Sequence, residues 1–182
     1  MIQKITRHVR LLMYKLRGND EAMHSLRLED MRKKGLVYGT NFRCFSNINS
    51  SEPYLIEVGD NVTISTDVKF ITHDNSIIKL NCNGTDVFGK IKIKNNCFIG
   101  SGAIILPGVF LDENIIVGAG SVVTKSFKEK NIVIAGNPAK KICSAKSLEE
   151  KLEIFGHDMR GLNFEQRKNY LLNIREEKFI QK

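Results

Sequence analysis

The sequence has few cysteines, and their spacing does not link them. Cys44, Cys82, Cys97 and Cys143 lie far apart, without a C-x-x-C pair. Disulfide frameworks and zinc knuckles both require paired or clustered cysteines. The scattered arrangement argues against both and favours a reducing compartment such as the cytosol.

Long apolar runs are also absent. No stretch approaches the ~18 consecutive apolar residues that a membrane-spanning helix needs. Basic residues interrupt the N-terminal segment throughout: Lys4, Arg7, Arg10, Lys15 and Arg17. A signal peptide needs a continuous apolar centre, so we expect neither a secretory leader nor a membrane span.

Acidic residues are fewer than basic ones. The chain has 20 Asp and Glu against 28 Lys and Arg, which gives a formal net charge of +8. This excess favours a polyanionic partner without identifying it. Nucleic acid, anionic lipid and a phosphorylated cofactor all satisfy the charge.

Helical periodicity is present near the N-terminus. Apolar residues recur there at steps of three and four, on one face of a helix that ends near Gly18: Ile2, Ile5, Val9, Leu12 and Leu16. The basic face of this helix is suited to a membrane surface, although packing against the rest of the protein is the simpler interpretation. A second helix is predicted from Asp20 to Lys34, with Gly35 ending it.

The C-terminal region is also predicted to be helical. "SLEE" from Ser147 matches a capping box, and Gly156 would end that helix. "NFEQ" from Asn163 opens a further helix that turns Leu171 and Ile174 inward.

The central region repeats in sixes. It reads VGDNVT, ISTDVK and FITHDN from Val58, and IKNNCF, IGSGAI, ILPGVF, LDENII, VGAGSV and VTKSFK from Ile93. The first position is large and apolar throughout: Val58, Ile64, Phe70, Ile93, Ile99, Ile105, Leu111, Val117 and Val123. The fifth is mostly small or β-branched: Val62, Val68, Cys97, Ala103, Val109, Ile115 and Ser121. Asp74 and Phe127 break the rule where each run ends.

A period of six fits neither a helix nor a plain strand. It predicts short strands joined by tight turns and wound into a solenoid, whose stacked coils share one narrow core with helical caps. Cys97 is then a core residue rather than a nucleophile. "VYGTNFRCFSNI" is interpreted as an earlier coil in another phase, led by Tyr38 and Cys44. Residues 76–92 are interpreted as a loop that extends from the solenoid.

Several motifs together resemble one known family. "ITHDN", "IGSGAIILPGVFLDENIIVGAGSVVTKSF" and "IVIAGNPAKKI" are similar to the hexapeptide-repeat acyltransferases, in the branch of galactoside, maltose, xenobiotic and surface-polysaccharide O-acetyltransferases. The similarity spans residues 36–142. It implies an all-β core, a left-handed parallel β-helix with helical caps at both ends. It also implies a cytoplasmic, bacterial homotrimer with active sites in the clefts between coils and no nucleic-acid partner.

The resemblance divides the chain into three parts. Residues 1–35 would be the N-terminal helical cap, residues 36–143 the β-helix with its loop at about 76–92, and residues 144–182 a helical tail.

The resemblance also implies catalytic residues. The family's general base is the histidine just before the loop, which identifies His73 as the catalytic candidate, since imidazole titrates close to working pH. The backbone from Gly100 to Gly102 is the candidate for oxyanion stabilisation, and Ser101 matches the family's serine near the thioester. The alternative that Ser101 is only a small turn residue of the coil stays open. Asp74, Asn49 and Glu52 are weak candidates for acceptor binding. Asp74 is also a candidate for orienting His73, a role that a backbone carbonyl often has in relatives.

Acetyl-CoA is the donor that the resemblance implies, and no metal is required. Backbone groups near Ala119 would bind the pantetheine amides and lysines would meet the phosphates, because an ammonium group pairs naturally with phosphate. The candidates are Gly118, Ala119, Thr124, Lys125, Pro138, Lys140 and Lys141. Relatives carry arginine near Lys140, and Lys141 alone fits a solvated surface equally well.

The favoured function is transfer of an acetyl group to a sugar hydroxyl of a cell-surface polysaccharide or its precursor. N-acetylation of an amino sugar nucleotide and acetylation of a xenobiotic stay open. The carbonic anhydrase with this coil needs three histidines for zinc, whereas His73 is the only histidine in the predicted coil. A non-catalytic scaffold would not explain why His73 occurs together with the complete "GAGSVVTK" and "GNPAKK" motifs.

Overall fold

The computed structural model describes residues 9, 20–48 and 50–181. The predicted helix of residues 2–16 therefore lies outside the described residues except for Val9, and so does the acceptor candidate Asn49. The first complete helix, α1, spans Asp20–Lys33, as predicted. Gly35 ends it with a left-handed φ of +98°. Leu28 and Met31 pack against the core, so α1 covers one part of it.

Short strands follow along the chain: β1 (Val37–Tyr38), β2 (Arg43–Cys44), β3 (Ile56–Val58), β4 (Thr63–Ile64), β5 (Lys69–Phe70), β6 (His73–Asp74), β7 (Val87–Phe88), β8 (Ile91–Ile93), β9 (Phe98–Ile99), β10 (Ile104–Ile105), β11 (Phe110–Leu111), β12 (Ile116–Val117), β13 (Val122–Val123), β14 (Ile132–Gly136) and β15 (Ala139–Ser144). Short 3₁₀ turns lie at Pro53–Leu55, Ser76–Lys79, Glu153–Phe155 and Glu176–Lys178.

The strands of the described residues form three main sheets. Sheet 1 contains β1, β3, β8 and β11. Sheet 2 contains β2, β4, β9, β12, β14 and β15, and sheet 3 contains β5, β10 and β13. Apart from the β14–β15 pair, the pairs within these sheets are parallel, and the chain passes from sheet 1 to sheet 2 to sheet 3 in successive turns. The predicted mainly β architecture of stacked short strands is confirmed, with helices toward both ends.

The six-residue register determines the core. The first-position and fifth-position residues named above are all buried, and Ile64, Ile99, Ile105 and Leu111 are fully enclosed. Burial of one such side chain contributes about 1.5–3 kcal/mol. Burial also raises the pKa of the Cys97 thiol to about 11, so this cysteine is a protonated core residue, as predicted.

The earlier coil is confirmed, and its strands pair directly with those of the next coil. Tyr38 pairs with Val58, and Cys44 pairs with Ile64, in parallel registers. Residues 20 positions apart therefore stack on each other in this part of the protein. Because 20 is not a multiple of six, this coil has a different hexad phase from the next one, as predicted.

Asparagines occupy the turn between sheets 1 and 2, which we call the asparagine corner. Its members share left-handed φ values of 49–58°: Asn41, Asn61, Asn96, Asn114 and Asn131. The side-chain Nδ2 of Asn41 donates to Asn61 Oδ1 at 2.6 Å, and that of Asn61 donates to Asn96 Oδ1 at 2.8 Å. Asparagine tolerates this backbone region better than other residues with a side chain. The ladder thus stabilises the same tight turn in successive coils.

The predicted loop leaves and rejoins the coil as a hairpin. β6 and β7 pair antiparallel, and the Gly89 N–H donates to the Thr72 carbonyl at 2.9 Å. A Cβ on Gly89 would lie 2.2 Å from the Gly108 nitrogen, so only glycine fits where the chain re-enters. The coil resumes at Ile91, which is fully buried, two residues before the Ile93 start that the hexad count predicts.

The C-terminal part begins with the antiparallel β14–β15 pair. Helix α2 (Ala145–Leu152) starts earlier than predicted, because β15 ends at Ser144 and the Ser144 hydroxyl accepts from the Ser147 N–H at 3.1 Å. The predicted cap at Ser147 is therefore wrong; Ser147 is the third residue of the helix.

The last helix, α3 (Phe164–Asn173), has the predicted capping box. The Gln166 N–H donates to Asn163 Oδ1, and the Asn163 N–H donates to Gln166 Oε1, both at 2.9 Å. Leu171 and Ile174 are half-buried. In the part of the chain that the structure describes, no helix is both long and apolar enough to cross a membrane.

Candidate active site

His73 lies at the turn between sheets 3 and 1, which we call the histidine corner. Its Nδ1 atom is 2.9 Å from Glu52 Oε2. The His73 side chain is 38% exposed, whereas that of Glu52 is only 14% exposed. The carboxylate therefore holds the imidazole from the protein side, and the ring keeps a solvent-accessible edge.

A chain of hydrogen bonds continues behind Glu52. The buried Thr72 hydroxyl lies 2.6 Å from Glu52 Oε2 and 2.8 Å from Ser50 Oγ, and the Glu52 N–H donates to Ser50 Oγ at 3.1 Å. An ionised carboxylate only accepts. Thr72 must then donate to Glu52, and Ser50 to Thr72. The Nδ1 atom of His73 likewise carries the proton, which leaves Nε2 as the basic nitrogen.

The contacts change the pKa values of both partners. The hydrogen bonds from Thr72 and then from His73 hold the Glu52 pKa below its usual value of 4.5. The hydrogen bond to Glu52 raises the His73 pKa above 6.5, and the negative charges of Asp86 and Asp74 act in the same direction. An ionised carboxylate beside a strengthened imidazole base is suited to general base catalysis.

The hairpin forms one wall beside the imidazole. Phe88 lies directly opposite His73 in the β6–β7 register, and the ring centroids are 5.8 Å apart. Asp74 accepts from the Ser76 N–H at 2.8 Å instead of contacting the imidazole nitrogens. The role of orienting His73, considered for Asp74, thus belongs to Glu52.

The turn between sheets 2 and 3, which we call the glycine corner, holds the other candidate catalytic groups. Ser101 Oγ lies 2.6 Å from Ser65 Oγ and 3.2 Å from Thr66 Oγ1. The Gly102 N–H donates to the Thr66 carbonyl at 2.9 Å, and the Gly100 N–H to that of Val117 at 2.8 Å. Because those two amides are engaged in the coil, the Ser101 hydroxyl is the better candidate for a thioester contact here.

Residues of the predicted donor site continue along the glycine corner. Gly118 stacks under Ala135, and the buried Ser121 hydroxyl donates to the Gly118 carbonyl at 2.7 Å and accepts from the Gly136 N–H at 3.2 Å. Ala119 is exposed beside this support. Pro138 lies in the two-residue turn between β14 and β15, directly before Ala139.

The predicted phosphate-binding lysines have different surroundings. Lys140 is exposed on β15. Lys141 forms an ion pair with Glu129, and the Lys125 ammonium lies over the Phe127 ring, 5.7 Å from its centroid. Thr124 and Lys125 follow β13, so they belong to the histidine corner. Of these three lysines, Lys141 thus already has an acidic partner within the chain.

One chain does not bring all the candidate residues together. His73, Thr124 and Lys125 lie at the histidine corner, whereas Ser101, Gly102, Gly118 and Ala119 lie at the glycine corner. Sheet 3 separates the two corners. Sequence reasoning placed Glu52 only as a weak acceptor contact, and it did not identify Thr72, Ser50 or Phe88. Within the described residues no cluster of three or more His, Cys, Asp or Glu side chains has metal-binding geometry.

Known proteins are similar to this chain in sequence and structure. Residues 90–125 match the family model described as the hexapeptide repeat of succinyl-transferase. Protein CapG of Staphylococcus aureus is 45% identical over 150 residues, which cover 80% of this chain and 87% of CapG.

Two sugar O-acetyltransferases are also similar. The galactoside O-acetyltransferase of Escherichia coli K12 is 37% identical over 105 residues, which cover 57% of this chain and 51% of that protein. The crystal structure of a maltose O-acetyltransferase from Clostridium difficile 630 superimposes with a TM-score of 0.51 at 30% identity, covering 65% of this chain and 74% of that one.

Proposed function

Because this chain belongs to the hexapeptide-repeat acyltransferase family, we propose that it transfers an acetyl group from acetyl-CoA to a sugar hydroxyl of a cell-surface polysaccharide or its precursor. The observation that carries the proposal is the hydrogen bond between His73 and Glu52, at the edge of the hairpin. The named functions of the galactoside and maltose enzymes support a sugar acceptor. The family also implies the left-handed winding of the coil, which we propose here.

His73 acts as the general base in this proposal. Its Nε2 accepts the proton of the acceptor hydroxyl while that oxygen attacks the thioester carbonyl, and Glu52 stabilises the imidazolium that forms. The Ser101 hydroxyl is placed to stabilise the oxyanion, since Thr66 and Ser65 contact its oxygen. The tetrahedral intermediate then collapses with cleavage of the C–S bond, and the imidazolium gives its proton to the departing thiolate of CoA.

Acetyl-CoA is the donor, and the glycine corner fits its pantetheine arm. A Cβ on Gly102 would meet only the Gly120 backbone, at 3.9 Å or more, and a Cβ on Gly120 would meet nothing within 4 Å, so this surface is open. A side chain at either position would fill space that an extended ligand can occupy. The exposed Lys140 is the candidate for a CoA phosphate.

We propose a homotrimer whose sites each use two chains. The histidine corner of one chain would face the glycine corner of its neighbour, which joins groups that sheet 3 separates within one chain. A cyclic trimer closes such a heterologous contact and forms three equal sites. The proposed site is incomplete without the neighbouring chain.

A screen of acceptors tests the proposed function. Purified protein with acetyl-CoA is offered galactosides, maltose, amino sugar nucleotides and antibiotics, free CoA is followed, and products are identified by mass spectrometry. We expect O-acetylated sugars, with turnover by His73→Ala lower by roughly 10²–10⁴. Acetylation confined to amines would replace the proposal with the N-acetyltransferase alternative, and acetylation confined to antibiotics with the xenobiotic one.

A further inference from the structure

The aromatic ring of Phe88 is placed beside the catalytic candidate by the backbone. Phe88 and His73 are directly opposed in the antiparallel β6–β7 pair, and their rings are 5.8 Å apart with an interplanar angle of 50°. Opposed residues of such a pair point to the same face of the hairpin. The position of Phe88 is therefore tied to that of His73.

The Phe88 side chain is also largely exposed. It is 60% exposed, and its neighbour Val87 is 47% exposed. A large apolar side chain that a folded protein leaves exposed beside a reactive group indicates a binding surface. We propose that Phe88 is a stacking platform for the apolar face of the acceptor's pyranose ring.

The reach of His73 limits where the acceptor can lie. Nδ1 is bound to Glu52, so the attacked hydroxyl must approach Nε2, at about 2.6–3.2 Å. The sugar ring that carries this hydroxyl then lies only one or two covalent bonds beyond that oxygen, beside the imidazole and the neighbouring Phe88 ring. The C–H groups of one face of a pyranose form an apolar surface that an aromatic ring can cover.

Carboxylates border this platform. Asp74 lies opposite Val87 in the same hairpin, and Asp86 precedes Val87 in the chain. Asp74 accepts one backbone hydrogen bond from Ser76, and a carboxylate offers about four acceptor positions. An aromatic face beside carboxylates that can accept from hydroxyl groups is chemically complementary to a sugar. This inference rests on the proposed function, because it requires a sugar acceptor.

Steady-state kinetics test the platform. Phe88→Ala, Phe88→Tyr and wild type are compared with methyl β-galactoside and maltose as acceptors, with Phe164→Ala, an exposed phenylalanine of α3, as the control. We expect Phe88→Ala to raise the acceptor KM roughly ten-fold with the KM for acetyl-CoA unchanged, and Phe88→Tyr to stay close to wild type. An unchanged acceptor KM in Phe88→Ala overturns the platform while the proposed function stands.

Fluorescence gives a readout that needs no turnover. The sequence contains no tryptophan, so Phe88→Trp introduces a single reporter, and Phe164→Trp is its matched control. We expect the same sugars to change the emission of Phe88→Trp and not that of Phe164→Trp. Equal responses of both variants, or none, overturn the platform.

If neither wild type nor Phe88→Tyr acetylates a sugar, that result contradicts the proposed function instead. Loss of the wild-type oligomeric state in Phe88→Ala assigns the ring to a chain contact and also overturns the platform.

Discussion

Glu52 determines which nitrogen of His73 is basic. Its carboxylate can only accept, so it fixes the proton on Nδ1 and leaves a lone pair on Nε2. Thr72 and Ser50 continue this support into the protein, and neither needs to touch a substrate. In the proposed mechanism, the direction of proton transfer thus follows from the hydrogen bonds of Glu52, Thr72 and Ser50.

Replacement of Glu52 by glutamine tests this role through pH. His73 works as a base only when unprotonated, and Glu52 raises its pKa above 6.5, so wild-type kcat/KM should fall as the pH drops through a value above 6.5. Removing the negative charge lowers the His73 pKa. Glu52→Gln should therefore shift the acid limb to lower pH, while the plateau falls about 10²-fold because the tautomer is no longer fixed.

Glu57→Gln is the control for that experiment, because Glu57 is an exposed carboxylate paired with Lys92 on the coil surface. A pH profile of kcat/KM, measured over the range in which the protein stays folded, provides both readouts. If Glu52→Gln and Glu57→Gln give the same profile as wild type, Glu52 does not position the base.

The position of His73 was predictable from the sequence, and its partner was not. His73 stands where the count of six fails, which is visible in the residues themselves. Glu52 lies in the irregular segment between β2 and β3, where no hexad register applies. The spacing of 20 residues between the first two coils places Glu52 next to Thr72 and His73. That spacing is known only from the strand registers of the structure.

At the scale of single elements, the asparagine corner explains why the coils repeat so regularly. Each asparagine adopts a left-handed backbone conformation and, in most cases, bonds the asparagine of an adjacent coil. Asn114, for example, has a φ of 56° and donates to Asn131 Oδ1 at 2.7 Å.

Asn114→Ala should lower the free energy of unfolding by about 1–2 kcal/mol, because alanine is strained in the left-handed region. Asn114→Gly should cost less, since glycine adopts this conformation freely. Denaturant unfolding at one matched protein concentration measures both. A glycine variant as unstable as the alanine variant would show that the side-chain bond, rather than the backbone angle, dominates.

The β15 strand offers two adjacent lysines with different expected roles. Lys140 is exposed and Lys141 is paired with Glu129. Lys140→Ala should raise the KM for acetyl-CoA with kcat nearly unchanged, as expected when binding is lost equally from ground and transition states. Lys141→Ala should have a smaller effect, because its charge is already matched.

Salt and donor length separate this effect from a structural one. The Lys140→Ala penalty should shrink at high ionic strength, where exposed charges are screened over less than about 8 Å. It should vanish with acetyl-pantetheine, which lacks the nucleotide phosphates. Equal penalties for both lysine variants, measured by initial rates, would contradict the assignment.

The regular elements were more predictable than their ends. The hexads identified the core positions and the short strands joined by tight turns, because each buried residue is fixed by its neighbours in adjacent coils. The start of α2 was missed because β15 continues to Ser144, and tertiary pairing rather than the local capping signal decided where the strand stops. The early end of the loop, at Ile91, likewise reflects pairing of β8 with β3.

At the scale of the whole molecule, the separation of the two corners makes a sharp prediction about assembly. His73→Ala should lack the base, and Ala119→Trp should obstruct the exposed donor surface of the glycine corner. Each variant alone should be nearly inactive. If sites form between chains, trimers mixed from equal amounts of the two should recover about a quarter of the wild-type sites by random assortment.

The mixing experiment is done by dissociating and reassembling the two variants together, with each variant reassembled alone as the control. Light scattering checks that the mixed species has the size of the wild-type assembly. Activity of the mixture that equals the mean of the two separate variants would mean that each site belongs to one chain.

The narrow base of the hairpin has a consequence for engineering. The chain departs after Thr72 and returns at Gly89, and a backbone hydrogen bond joins these two points. The residues between these two points join the coil only at this hydrogen-bonded base. Their number and identity therefore do not alter the stacking of the neighbouring coils. Residues 74–88 can therefore be treated as an exchangeable cassette. Grafting the corresponding segment of another acetyltransferase onto this coil should transfer acceptor preference while leaving the donor machinery in place.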